Sequence, residues 1–238
     1  MRVVTLAIAA LVAGCRTDCT PRSGETRPNV VLVTVDTLRV DHLGCYGSRT
    51  VETPHFDRLA SDGALFERCY AQSHVTLPSH LSLLSSLPLA DHGLTSNVAT
   101  EARPVTVLPQ LFAAAGYRTA AFVGIRNLGP KGPLGPLLKG LDVYQAPTRG
   151  SPVRAEETNA AAFRWLRRSC REPLFAWIHY WDPHMPYEPP SPFDTAYYRG
   201  DPYDPRATSM EPVQLNWFFH QTEGLRARLG ARAGAVRS

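Results

Sequence analysis

Apolar positions along the chain fall into two periods. Asn29-Val30-Val31-Leu32-Val33-Thr34-Val35-Asp36 is a continuous β-branched run, which predicts a strand buried on both faces. Leu174 to Tyr180 has the same character, Tyr117 to Val123 reads as a strand, and Ala64 to Tyr70 as a short one. Helical patterns lie between them. Thr53 is a predicted N-cap, with Pro54 at the first helical position and Gly63 at the end. A second helix with an apolar face starts at Pro78, and a third runs from Val105 to Ala115, closed by Gly116. A fourth covers Glu156 to Ser169, with Ala160, Phe163 and Leu166 on its apolar side. Gly129 to Gly140 is Gly/Pro-rich and reads as a surface loop. This alternation predicts an α/β fold, a mainly parallel central sheet with helices on both faces.

In such folds the site lies beyond the carboxyl ends of the strands. Asp36 ends the first strand, Asp182-Pro183-His184 follows the last, and Thr76 follows another strand-like segment. Three polar groups from distant parts of the chain are thus expected on one rim. In Val75-Thr76-Leu77-Pro78-Ser79-His80, a hydroxyl stands just ahead of a helix start, near free backbone N–H groups and the positive end of the helix dipole. A tetrahedral oxyanion is held well there, and an oxygen nucleophile at an anion site points to ester hydrolysis or transfer. The same stretch also fits a Thr N-cap with no chemistry.

The chain has 238 residues and a formal net charge of +4. Arg226, Arg228, Arg232 and Arg237 in the final fourteen residues account for that excess, so the charge carries no nucleic-acid signal. At the N-terminus, Arg2 and the apolar run Val3 to Val12 form a targeting segment too short to span a membrane as a mature helix. It leads into Leu11-Val12-Ala13-Gly14-Cys15, which resembles a bacterial lipobox. Residues 1–14 are then a signal peptide, Cys15 the lipidated residue and residues 15–28 a tether. An ordinary signal peptide or an N-terminal anchor is the alternative. The expected location is the bacterial envelope, lipid-anchored on the periplasmic or extracellular side. Cys19, Cys45, Cys69 and Cys170 remain; they allow three disulfide pairings or buried free thiols, and no Cys-x-x-Cys spacing suggests zinc.

Five ordered blocks resemble the sulfatase family of the alkaline phosphatase superfamily. They are Arg27-Pro28-Asn29 through Arg39 with Asp41-His42-Leu43-Gly44-Cys45-Tyr46-Gly47; Thr53 to Ala60; Thr76 to Ser86; Leu108 to Thr119; and Asp182-Pro183-His184-Met185-Pro186-Tyr187. The resemblance implies a metal-dependent hydrolase of sulfuric or phosphoric esters, small or glycan, with a divalent cation held by carboxylates. Ca2+ is the expected ion, with Zn2+ or Mn2+ as alternatives. By position Asp36 is a metal ligand, and Thr76 the nucleophile and a further contact to the metal. His80 takes the place of the motif Arg and His184 that of a substrate-oxygen donor, and both are expected to bind substrate and steady the oxyanion. His74, His92 and His179 receive no role.

The sequence departs from the family pattern at four places. Thr76 stands where sulfatases carry the Cys or Ser that is oxidised to formylglycine, which shifts weight toward phosphoester chemistry. Thr37 replaces a second Asp, so one anionic ligand is lost. Gly124-Ile125-Arg126-Asn127 replaces a Gly-Lys-x-His block. After His184 the only Asp residues are Asp194, Asp201 and Asp204, in a loop-like stretch, so the family's later metal segment is not found. Residues 29–224 are accordingly expected to be a partial catalytic domain, truncated at its C-terminal edge, with 225–238 a tail outside the family. A phospho-group transferase and an inactive lipoprotein keeping part of the fold are the competing expectations.

Overall fold

The computed structural model describes residues 8–10, 27–98, 102–148, 152–169, 172–185 and 189–197. Cys15, the rest of the leader and tether, Asp201, Asp204 and the Arg-rich tail lie outside these residues. The chain divides into two units, Met1–Pro183 and His184–Ser238.

In the first unit the strands are β1 (Ile8–Ala10), β2 (Val30–Val35), β3 (Arg118–Val123), β4 (Val143–Gln145) and β5 (Leu174–Tyr180). The helices are α1 (Pro54–Asp62), α2 (Thr76–Ser85), α3 (Leu89–His92), α4 (Leu108–Ala114) and α5 (Ala155–Arg168). The sheet order is β1-β2-β5-β3-β4. β2, β5, β3 and β4 are mutually parallel, and β1 adds antiparallel to the edge of β2; β1 falls within the 1–14 leader, so that part of the segment read as a targeting peptide outside the fold pairs with the sheet. The α/β architecture read from the alternation is the one observed.

The two faces of the sheet carry separate cores, because successive side chains in a strand point opposite ways. Leu32, Ala121, Val123, Phe175 and Trp177 pack with Leu77, Leu81 and Leu84 of α2 and with Leu94 and Val107. Val31, Ala120, Phe122, Ala176 and Ile178 pack with Ala162 and Trp165 of α5. Burying each large side chain contributes roughly 1.5–3 kcal/mol. This anchors α2 on the face that also carries the even-numbered residues of β2 and the odd-numbered ones of β5.

Several local expectations are corrected. Residues 64–70 form turns and coil instead of a strand, and Phe66 is 70% exposed, so no neighbour completes a ladder there. The α5 contact face is Thr158, Ala162 and Trp165, with Leu166 packed half-buried beside them as expected, whereas Ala160 and Phe163 face solvent. The 129–140 loop is Gly-rich but pinned inward by Leu134 and Leu138, both nearly fully buried. The third helix starts at Leu108, since the Gln110 side chain accepts from the Val107 N–H and fixes the start there.

The second unit is described by itself. It contains the short helix α6 (Phe193–Ala196), and the His184 Nδ1–H donates to the Met185 carbonyl at 2.7 Å.

Candidate active site

The site lies at the carboxyl ends of β2 and β5. The parallel ladder runs one residue past β2, where the Asp36 N–H donates to the Tyr180 carbonyl at 2.9 Å. This brings the Asp36 carboxylate, 8% exposed, onto the α2 face. Thr37 then turns the chain away at φ 52°, a left-handed conformation that a β-branched residue seldom adopts.

Thr76 is the first residue of α2, not a residue ahead of it. Val75 is the N-cap, and its carbonyl accepts from the Ser79 N–H at 3.0 Å. Pro78 is tolerated two residues into the helix because first-turn N–H groups have no intrahelical partner to lose. The shift matters for anion binding. The Val75 N–H donates to Ser73 Oγ at 3.0 Å, the Leu77 N–H to Asn97 Oδ1 at 2.8 Å, and Pro78 has none. The Thr76 N–H is the remaining donor of the first turn. The expected cradle of several free N–H groups is therefore reduced to this one.

Thr76 Oγ1–H donates to Asp36 Oδ2 at 3.2 Å, across forty positions of sequence, and both side chains are buried. One turn on, His80 is 2% exposed, and its Nδ1–H donates to the Thr76 carbonyl at 2.8 Å. A carbonyl only accepts, so this contact puts the proton on Nδ1. Burial holds the His80 ring below its ordinary range, with the Asp36 charge and the Thr76 carbonyl opposing. The ring is therefore neutral, and its buried Nε2 has no hydrogen-bond partner.

The sequence reading missed His179. This residue is fully buried at the end of β5, stacked on His80 with ring centroids 4.8 Å apart. Its Nδ1–H donates to the Tyr180 carbonyl at 3.0 Å, and its Nε2 lies 3.6 Å from Asp36 Oδ2. Burial, and secondarily the His80 ring, push its proton affinity well below the ordinary histidine range. The available signal was a single imidazole in an otherwise apolar strand, one residue from its end.

Asp182 does not join this group. Its Oδ1 accepts from the Ala155 N–H at 3.0 Å and so caps the start of α5. The Arg126 side chain is exposed, while Asn127 Oδ1 is buried without a partner. Cys45 and Cys69 are free thiols.

The sulfatase family profile matches residues 28–237. The chain belongs to the sulfatase family. Among its relatives, an N-acetylglucosamine-6-O-sulfatase of Bacteroides thetaiotaomicron is 34% identical over 117 residues, covering 48% of this chain and 20% of that protein. Human iduronate 2-sulfatase is 28% identical over 206 residues, covering 71% of this chain and 37% of that one. The sulfatase chain thus spans well under half the length of these relatives. A structure solved in complex with its substrate D-glucosamine-2-N,6-O-disulfate superposes with a TM-score of 0.60 at 22% identity, over 69% of this chain and 36% of that one. The phosphonate monoester hydrolase of Agrobacterium radiobacter superposes at 0.53 with 24% identity, over 71% and 43%. Both share the fold.

Sulfatases typically bind a divalent metal. Among the described residues, no three Asp, Glu, His or Cys side chains form a ready ligand group. What converges is one carboxylate, one hydroxyl and a buried imidazole nitrogen with no donor facing it. This group has acceptors in excess and no positive charge, so a cation fits it as a partial shell.

Proposed function

We propose that this sulfatase-family chain carries the nucleophile of a metal-dependent hydrolase of sulfuric or phosphoric esters, with Thr76 attacking and Asp36 binding the cation. The 3.2 Å contact between Thr76 Oγ1 and Asp36 Oδ2 carries this reading. A bound divalent cation supplies the positive charge that lowers the proton affinity of a hydroxyl nucleophile. Asp36 orients Thr76 Oγ1 at the mouth of the helix. Thr76 Oγ1 forms a bond to sulfur or phosphorus while the bond to the alcohol oxygen breaks and the alcohol leaves with a proton. Water then attacks the same sulfur or phosphorus, releasing the acid and restoring the hydroxyl. A Thr ester has no aldehyde collapse available to it, unlike a formylglycine hydrate, so this second step requires water. Phosphoryl esters suit that route best.

The Thr76 N–H, the first turn's remaining donor, is the group this reading assigns to the developing oxyanion. His80 is buried and neutral with its N–H on the Thr76 carbonyl, so it acts as a positioning residue for the first turn of α2. His184 is carried as a substrate-oxygen donor on the strength of the matching Asp-Pro-His block. The relatives' names support sulfated sugars as substrates. The short apolar leader ending at Cys15 supports export to a lipid-anchored envelope location.

A panel of aryl sulfate, phosphodiester and phosphonate monoester substrates, assayed with Ca2+, Mn2+ and Zn2+, tests the reading. Metal-dependent turnover is expected, falling roughly 1,000-fold or more in Thr76→Ala and largely retained in Thr76→Ser. Equal turnover in Thr76→Ala would refute the nucleophile.

A further inference from the structure

Two buried histidines on the α2 side of the sheet solve the same problem differently. His92 has both ring nitrogens paired: its Nε2–H donates to Ser82 Oγ at 2.9 Å, and its Nδ1 accepts from the Leu94 N–H at 3.1 Å. It behaves as a satisfied core residue. His179 has one nitrogen paired, and its other nitrogen faces a carboxylate oxygen at 3.6 Å with no hydrogen between them. An unpaired buried acceptor is costly, and here it opposes a second acceptor.

We propose that His179 Nε2 is a nitrogen ligand to the cation shared by Asp36 and Thr76, so that this site prefers a Zn2+-class ion to Ca2+. The inference rests on the shared-cation reading above. Three observations carry it. First, the Nδ1–H contact with the Tyr180 carbonyl fixes the tautomer that leaves Nε2 as a lone pair, and metal-binding histidines typically give their other N–H to such an acceptor. Second, the spacing of both groups from Asp36 Oδ2 allows it. Two donors that each sit about 2.1 Å from one ion are at most about 4.2 Å apart. Nε2 to Oδ2 is 3.6 Å and Oγ1 to Oδ2 is 3.2 Å. Third, the nitrogen cannot wander. His179 pairs in register with Thr34 of β2 and Val123 of β3, in the interior of the sheet, and its ring stacks on His80.

The donor chemistry then decides the ion. Ca2+ takes six to eight oxygen ligands, whereas Zn2+ accepts imidazole with few protein ligands and keeps positions open for water or substrate. One carboxylate, one hydroxyl and one imidazole make such a set. Thr37, next to Asp36, adds no anionic oxygen for Ca2+ and points the same way.

The test uses the full chain stripped of metal, titrated with Zn2+, Ca2+ and, as a spectroscopic probe, Co2+. Zn2+ is expected to bind roughly 100-fold or more tightly than Ca2+. The visible Co2+ bands are expected to change in His179→Phe, with Zn2+ affinity falling roughly tenfold or more and Ca2+ affinity holding. Imidazole 15N spectra of the unsubstituted protein need no variant: the His179 Nε2 resonance is expected to move on adding Zn2+ and to stay put with Ca2+. Zn2+ binding retained in His179→Phe but lost in Asp36→Asn, with no Nε2 shift, would overturn the nitrogen ligand and leave the shared cation standing. Binding retained in both variants, or absent from the unsubstituted protein, would overturn both.

Discussion

Thr76, His80 and His179 show how strongly burial sets the chemistry of single side chains here. Both imidazoles are held below the ordinary histidine value of 6.5, chiefly by removal from water. The unfolded chain therefore takes up protons that the folded chain refuses once the pH drops below that value. With chelator present, stability is expected to be fully developed above about pH 7 and to decline as the pH falls through 6.5. Each histidine contributes a slope of up to about 1.4 kcal/mol per pH unit. Urea titrations from pH 8 to pH 5 check this, and a midpoint that rises on acidification would contradict it. Asp36 and Thr76 were legible in the sequence because one ends an apolar run and the other opens a Pro-containing helix. His179 was not, because an imidazole inside Leu-Phe-Ala-Trp-Ile-His-Tyr looks the same whether it is satisfied, like His92, or left with a bare nitrogen.

At the scale of the element, what matters is where helices begin. α2 starts at Thr76 because Val75 is extended at φ −104°, ψ 133° and Ser79 reaches back to its carbonyl. Proline preference alone put the start two residues later. The consequence is chemical, because the shift moves Thr76 into the helix and leaves its N–H as the first turn's remaining donor. α5 begins at Ala155 under a remote cap from Asp182, a contact between positions 27 residues apart that no local pattern reveals. The family-like Asp-Pro-His block thus divides: Asp182 closes a helix, and only His184 stays a substrate candidate. Asp182→Ala is expected to lower stability by about 1 kcal/mol, read by chemical denaturation, without altering Zn2+ affinity. Loss of cation binding at unchanged stability would instead place Asp182 in the site. The slip in the α5 face has a similar origin. Ala160, Ala161 and Ala162 are interchangeable by pattern, and it is Trp165, seated against Phe122, that sets the rotation.

Across the whole first unit, the parallel order β2-β5-β3-β4 makes the site possible. Asp36 and His179 are distant in sequence but come from adjacent strands, and α2 is clamped over both by Leu77, Leu81 and Leu84. Strand-helix alternation made the layers legible; strand order was not, since parallel neighbours carry the same apolar run whichever partner they take. The leader calls for a cellular measurement. Cys15→Ala is expected to abolish incorporation of labelled palmitate and to release the protein from the membrane fraction. Unchanged labelling would exclude lipidation at that residue. The shared cation is tested most directly by crystals grown with Zn2+ or Mn2+ and measured at the metal's absorption edge. An anomalous peak is expected within about 2.3 Å of both an Asp36 carboxylate oxygen and Thr76 Oγ1. A peak elsewhere, with those two oxygens still joined only by their hydrogen bond, would contradict it.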